Sequence, residues 1–231
     1  MFETEALRFT DRAEAGRSLA RRLAALHLPR PVIYALPRGG VPVAAEIAAA
    51  LAAPLDLILV RKIGAPFQPE LALGAVAEGE APEAVLNPDI IAVTGADEAF
   101  IAAAQAREMA EIERRRQLYL AGRPRPDPQG CSAVVVDDGL ATGATARAAL
   151  HALRRRDPAQ IILAVPVASP DTLAALRAEA DTVVCLREAS LFHGVGGFYE
   201  DFHQLADEEV IRTLDAAAKR LTREGGGAPP G

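Results

Sequence analysis

An α/β fold with a mainly parallel central sheet flanked by helices is what the sequence predicts, on three observations. Strand-like and helix-like runs alternate along most of the 231 residues, the order that βαβ units require. The strand-like runs are continuously apolar instead of alternating, as in strands buried on both faces. Half of the composition is hydrophobic, enough for one full core in a chain of this length.

Taken in order, Thr10 stands where it can cap a helix whose apolar positions Ala15, Leu19, Leu23 and Leu26 recur at helical spacing. PVIYALP, from Pro31 to Pro37, reads as a strand that ends in RGG, and VPVAAEIAAAL follows with helical composition. LDLILV leads into Arg61 and Lys62. GAPFQPE then reads as a mobile loop, because Gly64, Pro66 and Pro69 break both helix and strand patterns. LALGAVAEG after it looks like another strand. Asp97 to Tyr119 is a long helix with a solvated, Glu/Arg-paired face. RPRPDPQG, from Arg123 to Gly130, is a linker that delivers the chain to the strand at Ala133.

VVVDDGLATGATARAAL, from Val134 to Leu150, carries a β-branched run into paired carboxylates, a small-residue loop and a helix. IILAVPVAS is a further strand, Ser169 and Pro170 start a capped helix, and TVVCLR is the last strand. The central sheet is therefore expected from Val32–Leu36, Leu57–Val60, Leu73–Ala77, Val134–Val136, Ile161–Val165 and Val183–Leu186. An aromatic-rich stretch with Phe192, Phe198, Tyr199 and Phe202 precedes a helix near Asp207 to Leu221. These aromatics suit either a small core under a long loop or a stacking lid for a base. His193 and His203 flank them without metal-ligand spacing and are assigned no catalysis.

Ligands of such sheets bind beyond the carboxyl ends of the strands, where Asp137 and Asp138 emerge. At a solvated strand end two acids suit sugar hydroxyls or a divalent cation. Gly139 and Gly143 permit tight turns, Thr142 and Thr145 offer hydroxyls, and the next helix presents free N–H groups to a phosphate. Together these describe a ribose 5-phosphate site. A P-loop is excluded because no Lys follows Gly143, and GxGxxG is absent. An approximate methyltransferase cofactor loop is the nearest rival, but such a loop opens the first strand of its domain.

VVVDDGLATGAT resembles the 5-phosphoribosyl 1-pyrophosphate (PRPP) signature of type I phosphoribosyltransferases. ALPRGGVPVAAEIA is similar to that family's pyrophosphate loop, and the segment after LILVRKIG falls where the family carries a flexible loop. The resemblance extends from Val32 to about Phe202. It is most specific at Asp137 to Thr145, and it is similar in particular to a branch of bacterial phosphoribosyltransferase-domain proteins in which ALPRGG, VRKIG and a late segment, here GVGGFYEDF, recur.

The resemblance implies that Asp137 and Asp138 bind the ribose hydroxyls and, through them, touch Mg2+. Gly139, Ala141, Thr142, Gly143, Ala144 and Thr145 would wrap the 5-phosphate. Pro37, Arg38, Gly39 and Gly40 would form the pyrophosphate loop, with a cis peptide between Pro37 and Arg38. Arg38, Arg61 and Lys62 are the candidate catalytic cations at the leaving group, and Phe198 and Tyr199 the candidates for a base lid.

The expected activity is Mg-dependent transfer of phosphoribosyl from PRPP to a nitrogenous base of unidentified type, with a PRPP-binding regulator as the alternative. The expected organisation is one phosphoribosyltransferase domain over 1–224: a core at about 30–187, a hood at about 188–204, a helix at about 207–221, and a disordered tail at 225–231. A net charge of -6 argues against non-specific nucleic-acid binding. Neither a signal peptide nor a membrane span is read. Cys131 and Cys185 fit small buried residues in a reducing cytoplasm. A homodimer is left open.

Overall fold

A computed structural model describes residues 8–78, 84–191 and 194–225. Phe192, His193 and the tail from residue 226 lie outside the described residues. The first helix, α1 (Arg12–Ala24), begins one residue later than expected, because Asp11 and not Thr10 accepts the cap hydrogen bond, from Glu14 N. Its buried face is Arg12, Ala15, Gly16, Leu19, Ala20 and Leu23. Leu26 lies beyond the helix end and is exposed.

Next come β1 (Pro31–Ala35), α2 (Gly40–Ala50) and β2 (Leu55–Leu57). Later in the chain, β6 (Ser132–Val136), α5 (Ala144–Arg154), β7 (Gln160–Ala168), α6 (Pro170–Leu176) and β8 (Thr182–Glu188) repeat the strand and helix alternation. The five strands form one parallel sheet in the order β2-β1-β6-β7-β8.

Side-chain alternation explains the unbroken apolar strands. Ile33, Ala35, Val134, Val136, Ile162 and Ala164 pack in one core cluster with α1, α2 and the C-terminal helix α7 (Asp207–Gly225). Val32, Tyr34, Ala133, Val135, Ile161 and Leu163 pack in the other with α5 and α6. Both faces of the inner strands β1, β6 and β7 are buried, and so nearly every position in them is apolar.

The region between β2 and β6 departs from expectation. LDLILV does not continue as one strand to Val60. Ile58 N donates to Ala35 O at 3.1 Å, and the chain then leaves the parallel sheet. Val60–Ala65 (β3), Gln68–Ala77 (β4) and Ala84–Leu86 (β5) form a separate antiparallel sheet, so Leu73–Ala77 is not a central strand.

The loop expected at GAPFQPE is the tip of this β3–β4 hairpin. Gly64 sits at a register shift, its pro-side-chain position 2.6 Å from Pro69 O, and Phe67 turns the chain with φ 61°. The supposed breakers thus serve a bulge and a tight turn. α3 (Pro88–Thr94), capped by Asn87, and α4 (Glu98–Leu120), capped by Asp97, complete the connection.

The Arg123 to Gly130 linker holds more structure than a connector requires. Arg125 bonds Asp56 at 3.0 Å, Glu78 at 2.9 Å and Leu57 O at 3.0 Å, tying the end of β2 to the end of β4. Among the described residues no helix is long and apolar enough to cross a membrane.

Candidate functional site

Two loops meet at the carboxyl ends of the neighbouring strands β1 and β6. The first is Pro37 to Gly40. The bond between Pro37 and Arg38 is cis, where the resemblance placed it. Gly40 opens α2, and its N–H donates to Leu36 O at 3.0 Å. A β-carbon on Gly40 would lie 2.5 Å from Val136 O, and one on Gly39 would lie 2.1 Å from Asp138 Oδ2. Only glycines let the loop lie this close to β6.

The second loop runs from Asp137 to Thr145. Leu140 N donates to Val167 O at 2.9 Å, and Thr172 of α6 donates its hydroxyl to Ala141 O at 2.7 Å, so the loop is tied to β7 and to α6. Gly143, at φ 71°, stands at the N-terminus of α5 and offers no side-chain cap. A side chain there would strike Thr172 and Leu176. Ala141 and Thr142 are exposed, and Ala144 and Thr145 half-buried. The helix end therefore presents N–H groups to an open surface, as an anion requires.

The acids are not at a solvated strand end, contrary to expectation. Asp138 is buried, 9% exposed, and its Oδ2 accepts from Arg12 Nε at 2.8 Å. Arg12 in turn donates from Nη1 to His203 O at 3.1 Å, and its guanidinium lies 3.9 Å from the centre of the Phe202 ring. Asp137 is half-buried, and its Oδ1 accepts from Asp138 N at 2.9 Å.

Burial and the neighbouring Asp138 charge push Asp137 well above the ordinary carboxylate range. Burial pushes Asp138 up as well, opposed by the Arg12 guanidinium. The cation bonded to the pair, Arg12, reaches Asp138, so it opposes the upward shift there more directly than at Asp137.

The aromatic stretch packs inward. Tyr199 joins Phe9 and Ala15 in a small core, with Phe198 and Phe202 against it. Its hydroxyl donates to Asp138 O at 2.6 Å, and burial raises its pKa far above the usual range. The Tyr199 ring is 2% exposed and offers no open face for stacking. Phe198 is half-buried.

The candidate cations have partners of their own. Arg38 Nη1 lies 3.6 Å from Asp207 Oδ1 at the start of α7, and Asp207 also accepts from the Tyr119 hydroxyl. Burial and that acid push Tyr119 up to about 12. Arg61 donates to Glu108 of α4 at 2.8 Å. Lys62, on β3, lies opposite Ala75 of β4. Arg61 and Lys62 thus belong to the hairpin sheet and not to the end of a central strand.

Sequence reasoning missed Arg12, Asp207 and Tyr119. A signal for Arg12 was present, since position 12 continues the 15, 19, 23 stripe toward the N-terminus and puts a charge on the buried face.

A cavity of about 760 Å³ lies away from these loops, between α4, the 125–129 linker and the end of α5. Arg116, Arg125, Arg155 and Arg156 line it together with Glu78, Glu113, Asp127 and Asp157. Four cations and four acids cancel, and it has no glycine loop or helix N-terminus of the kind that cradles a phosphate.

Residues 11–203 match the family model described as "Phosphoribosyl transferase domain". In Mycobacterium tuberculosis, the proteins named "Putative phosphoribosyl transferase Rv0571c" (strain H37Rv) and "Putative phosphoribosyl transferase MT0597" (strain CDC 1551) are each 46% identical over 217 residues, 94% of this chain. The chain spans about half, 48%, of the length of those curated relatives. Among solved structures it is similar to TT1426 from Thermus thermophilus, with 44% identity, a TM-score of 0.74, and 90% of this chain and 97% of that one covered.

Proposed function

Because the chain belongs to the phosphoribosyl transferase domain family, we propose that it transfers the phosphoribosyl group of PRPP to a ring nitrogen of a nucleobase and releases pyrophosphate. The observation that carries this is the contact of the two loops, Gly39 against Asp138 and Gly40 against Val136. It brings Pro37 to Gly40 against the acid pair that precedes the N-terminus of α5, which supports reading the three as the pyrophosphate, diol and phosphate parts of one site.

In this proposal the 5-phosphate lies on the N–H groups from Thr142 to Thr145 and the ribose hydroxyls on Asp137 and Asp138. Pyrophosphate lies on the backbone of Arg38 to Gly40, with the Arg38 guanidinium beside it. The bond from the anomeric carbon to pyrophosphate breaks as the base nitrogen bonds to that carbon. Positive charge grows on the sugar and negative charge on the leaving group, and donors fixed at the leaving group lower the barrier.

Mg2+ fits as a hard cation arriving on the substrate, held by one or two carboxylates and by phosphate oxygens. Among the described residues no cluster of three or more His, Cys, Asp or Glu stands ready to hold a metal by itself. Asp137 and Asp138, each with one oxygen already bonded, would meet it through the ribose hydroxyls. When bound, the ion neutralises pyrophosphate charge and templates the substrate.

A second reading, a PRPP-binding regulator with little turnover, is favoured by one observation. Arg38 and Arg61 already face the chain's own acids, Asp207 and Glu108. Incubation with Mg-PRPP and a panel of nucleobases separates the two. Base-dependent pyrophosphate release supports the transferase, and saturable PRPP binding without release supports the regulator.

A further inference from the structure

We propose that Arg12 is a positioning residue of the ribose site, holding the Asp138 carboxylate in one orientation for the sugar hydroxyls; this rests on the ribose reading of Asp137 and Asp138 given above. Asp138 is gripped from three sides. Arg12 of α1 holds Oδ2 at 2.8 Å, the Tyr199 hydroxyl holds the main-chain carbonyl at 2.6 Å, and Gly39 lies under the carboxylate.

Arg12 is itself fixed, by His203 O at 3.1 Å and by the Phe202 ring at 3.9 Å. Its side chain is 8% exposed and that of Asp138 12%. A buried ion pair of this kind is a weak source of stability alone, since apolar residues of similar volume often do as well. It does supply direction. A guanidinium pinned by a ring and a carbonyl leaves the carboxylate one arrangement. The N-terminal helix and the late aromatic segment thereby become the support of the acid pair, which explains why Tyr199 and Phe202 pack inward instead of forming a lid.

The test is calorimetric titration of the full chain with ribose 5-phosphate, 2-deoxyribose 5-phosphate and inorganic phosphate. The wild type is expected to prefer ribose 5-phosphate to its 2-deoxy analogue. Arg12→Ala should lose on the order of tenfold in ribose 5-phosphate affinity, the size of one charge-assisted contact, and should narrow that preference while inorganic phosphate binds unchanged. Should the alanine variant fail to fold, Arg12→Lys keeps the charge but not the Nε geometry, and it too should narrow the preference with melting near that of the wild type.

Full retention of the preference in a folded Arg12 variant overturns the positioning role. Equal loss for all three ligands also overturns it, since general damage is then the cause. Absence of any preference in the wild type defeats the ribose reading itself, and the proposal with it.

Discussion

Arg12 and Asp138, 126 positions apart in sequence, form a buried ion pair with Nε 2.8 Å from Oδ2. One half of an acid pair in a strand-end loop is thereby committed to the first helix of the fold. The pair changes what a substitution at Asp138 does, because an acid at a solvated strand end contributes little to stability and a buried, paired one does not.

Asp138→Ala should therefore destabilise the protein by about 3 to 5 kcal/mol, since it strands the Arg12 charge in a dry setting. Asp137→Ala should cost less than half as much, because it removes one of two repelling acids. Urea unfolding of both variants at pH 7 measures the difference, and equal losses would show that Arg12 does not distinguish the two acids.

Gly39→Ala and Gly40→Ala should fail in different ways. The new methyl at residue 39 meets the Asp138 carboxylate, which can make room only by giving up its bond to Arg12, whereas at residue 40 it meets the Val136 carbonyl of a central strand. Gly39→Ala should fold and lose ribose 5-phosphate affinity, and Gly40→Ala should lose stability outright. Thermal melts paired with ligand titration check both.

The parallel strands were legible because burial on both faces writes itself as an unbroken apolar run. The loops after β1 and β6 were legible because close backbone approach demands glycine at fixed places, Gly39, Gly40 and Gly143 among them. The hairpin was not, because Gly64, Pro66 and Pro69 break local patterns equally in a loop and at a bulged turn. The ion pairs Arg12–Asp138, Arg38–Asp207 and Arg125–Asp56 were hidden for another reason. Each joins distant segments, and no local periodicity names a charged residue's partner.

His203 lies between Asp201 at 3.0 Å and Glu209 at 3.2 Å. The hydrogen bond its ring donates to Asp201, then that to Glu209, raises its pKa above the ordinary 6.5. A raised folded pKa means that its contribution to stability is fully present below about 6.5 and is lost as pH rises through the folded value. NMR titration of the ring protons should show the elevated midpoint, and Asp201→Asn should bring it back toward the ordinary value. An unchanged midpoint in that variant would remove Asp201 as the cause.

Arg38→Ala should bind ribose 5-phosphate nearly as the wild type does, while pyrophosphate release with a competent base slows by roughly tens- to a thousandfold. Its ion pair with Asp207 is about one-third exposed on both sides, so the stability cost should stay within about 1 kcal/mol. Single-turnover rates separate chemistry from binding. Equal rates in the two proteins would remove Arg38 from the leaving-group site.

The ribose 5-phosphate site itself is tested most directly by a crystal structure with ribose 5-phosphate and Mg2+. The phosphate is predicted within hydrogen-bond distance of the main-chain N–H groups from Thr142 to Thr145, with the sugar hydroxyls on Asp137 and Asp138 and Arg12 still on Oδ2. A phosphate bound instead among Arg116, Arg125, Arg155 and Arg156, with the loop after β6 empty, would contradict it.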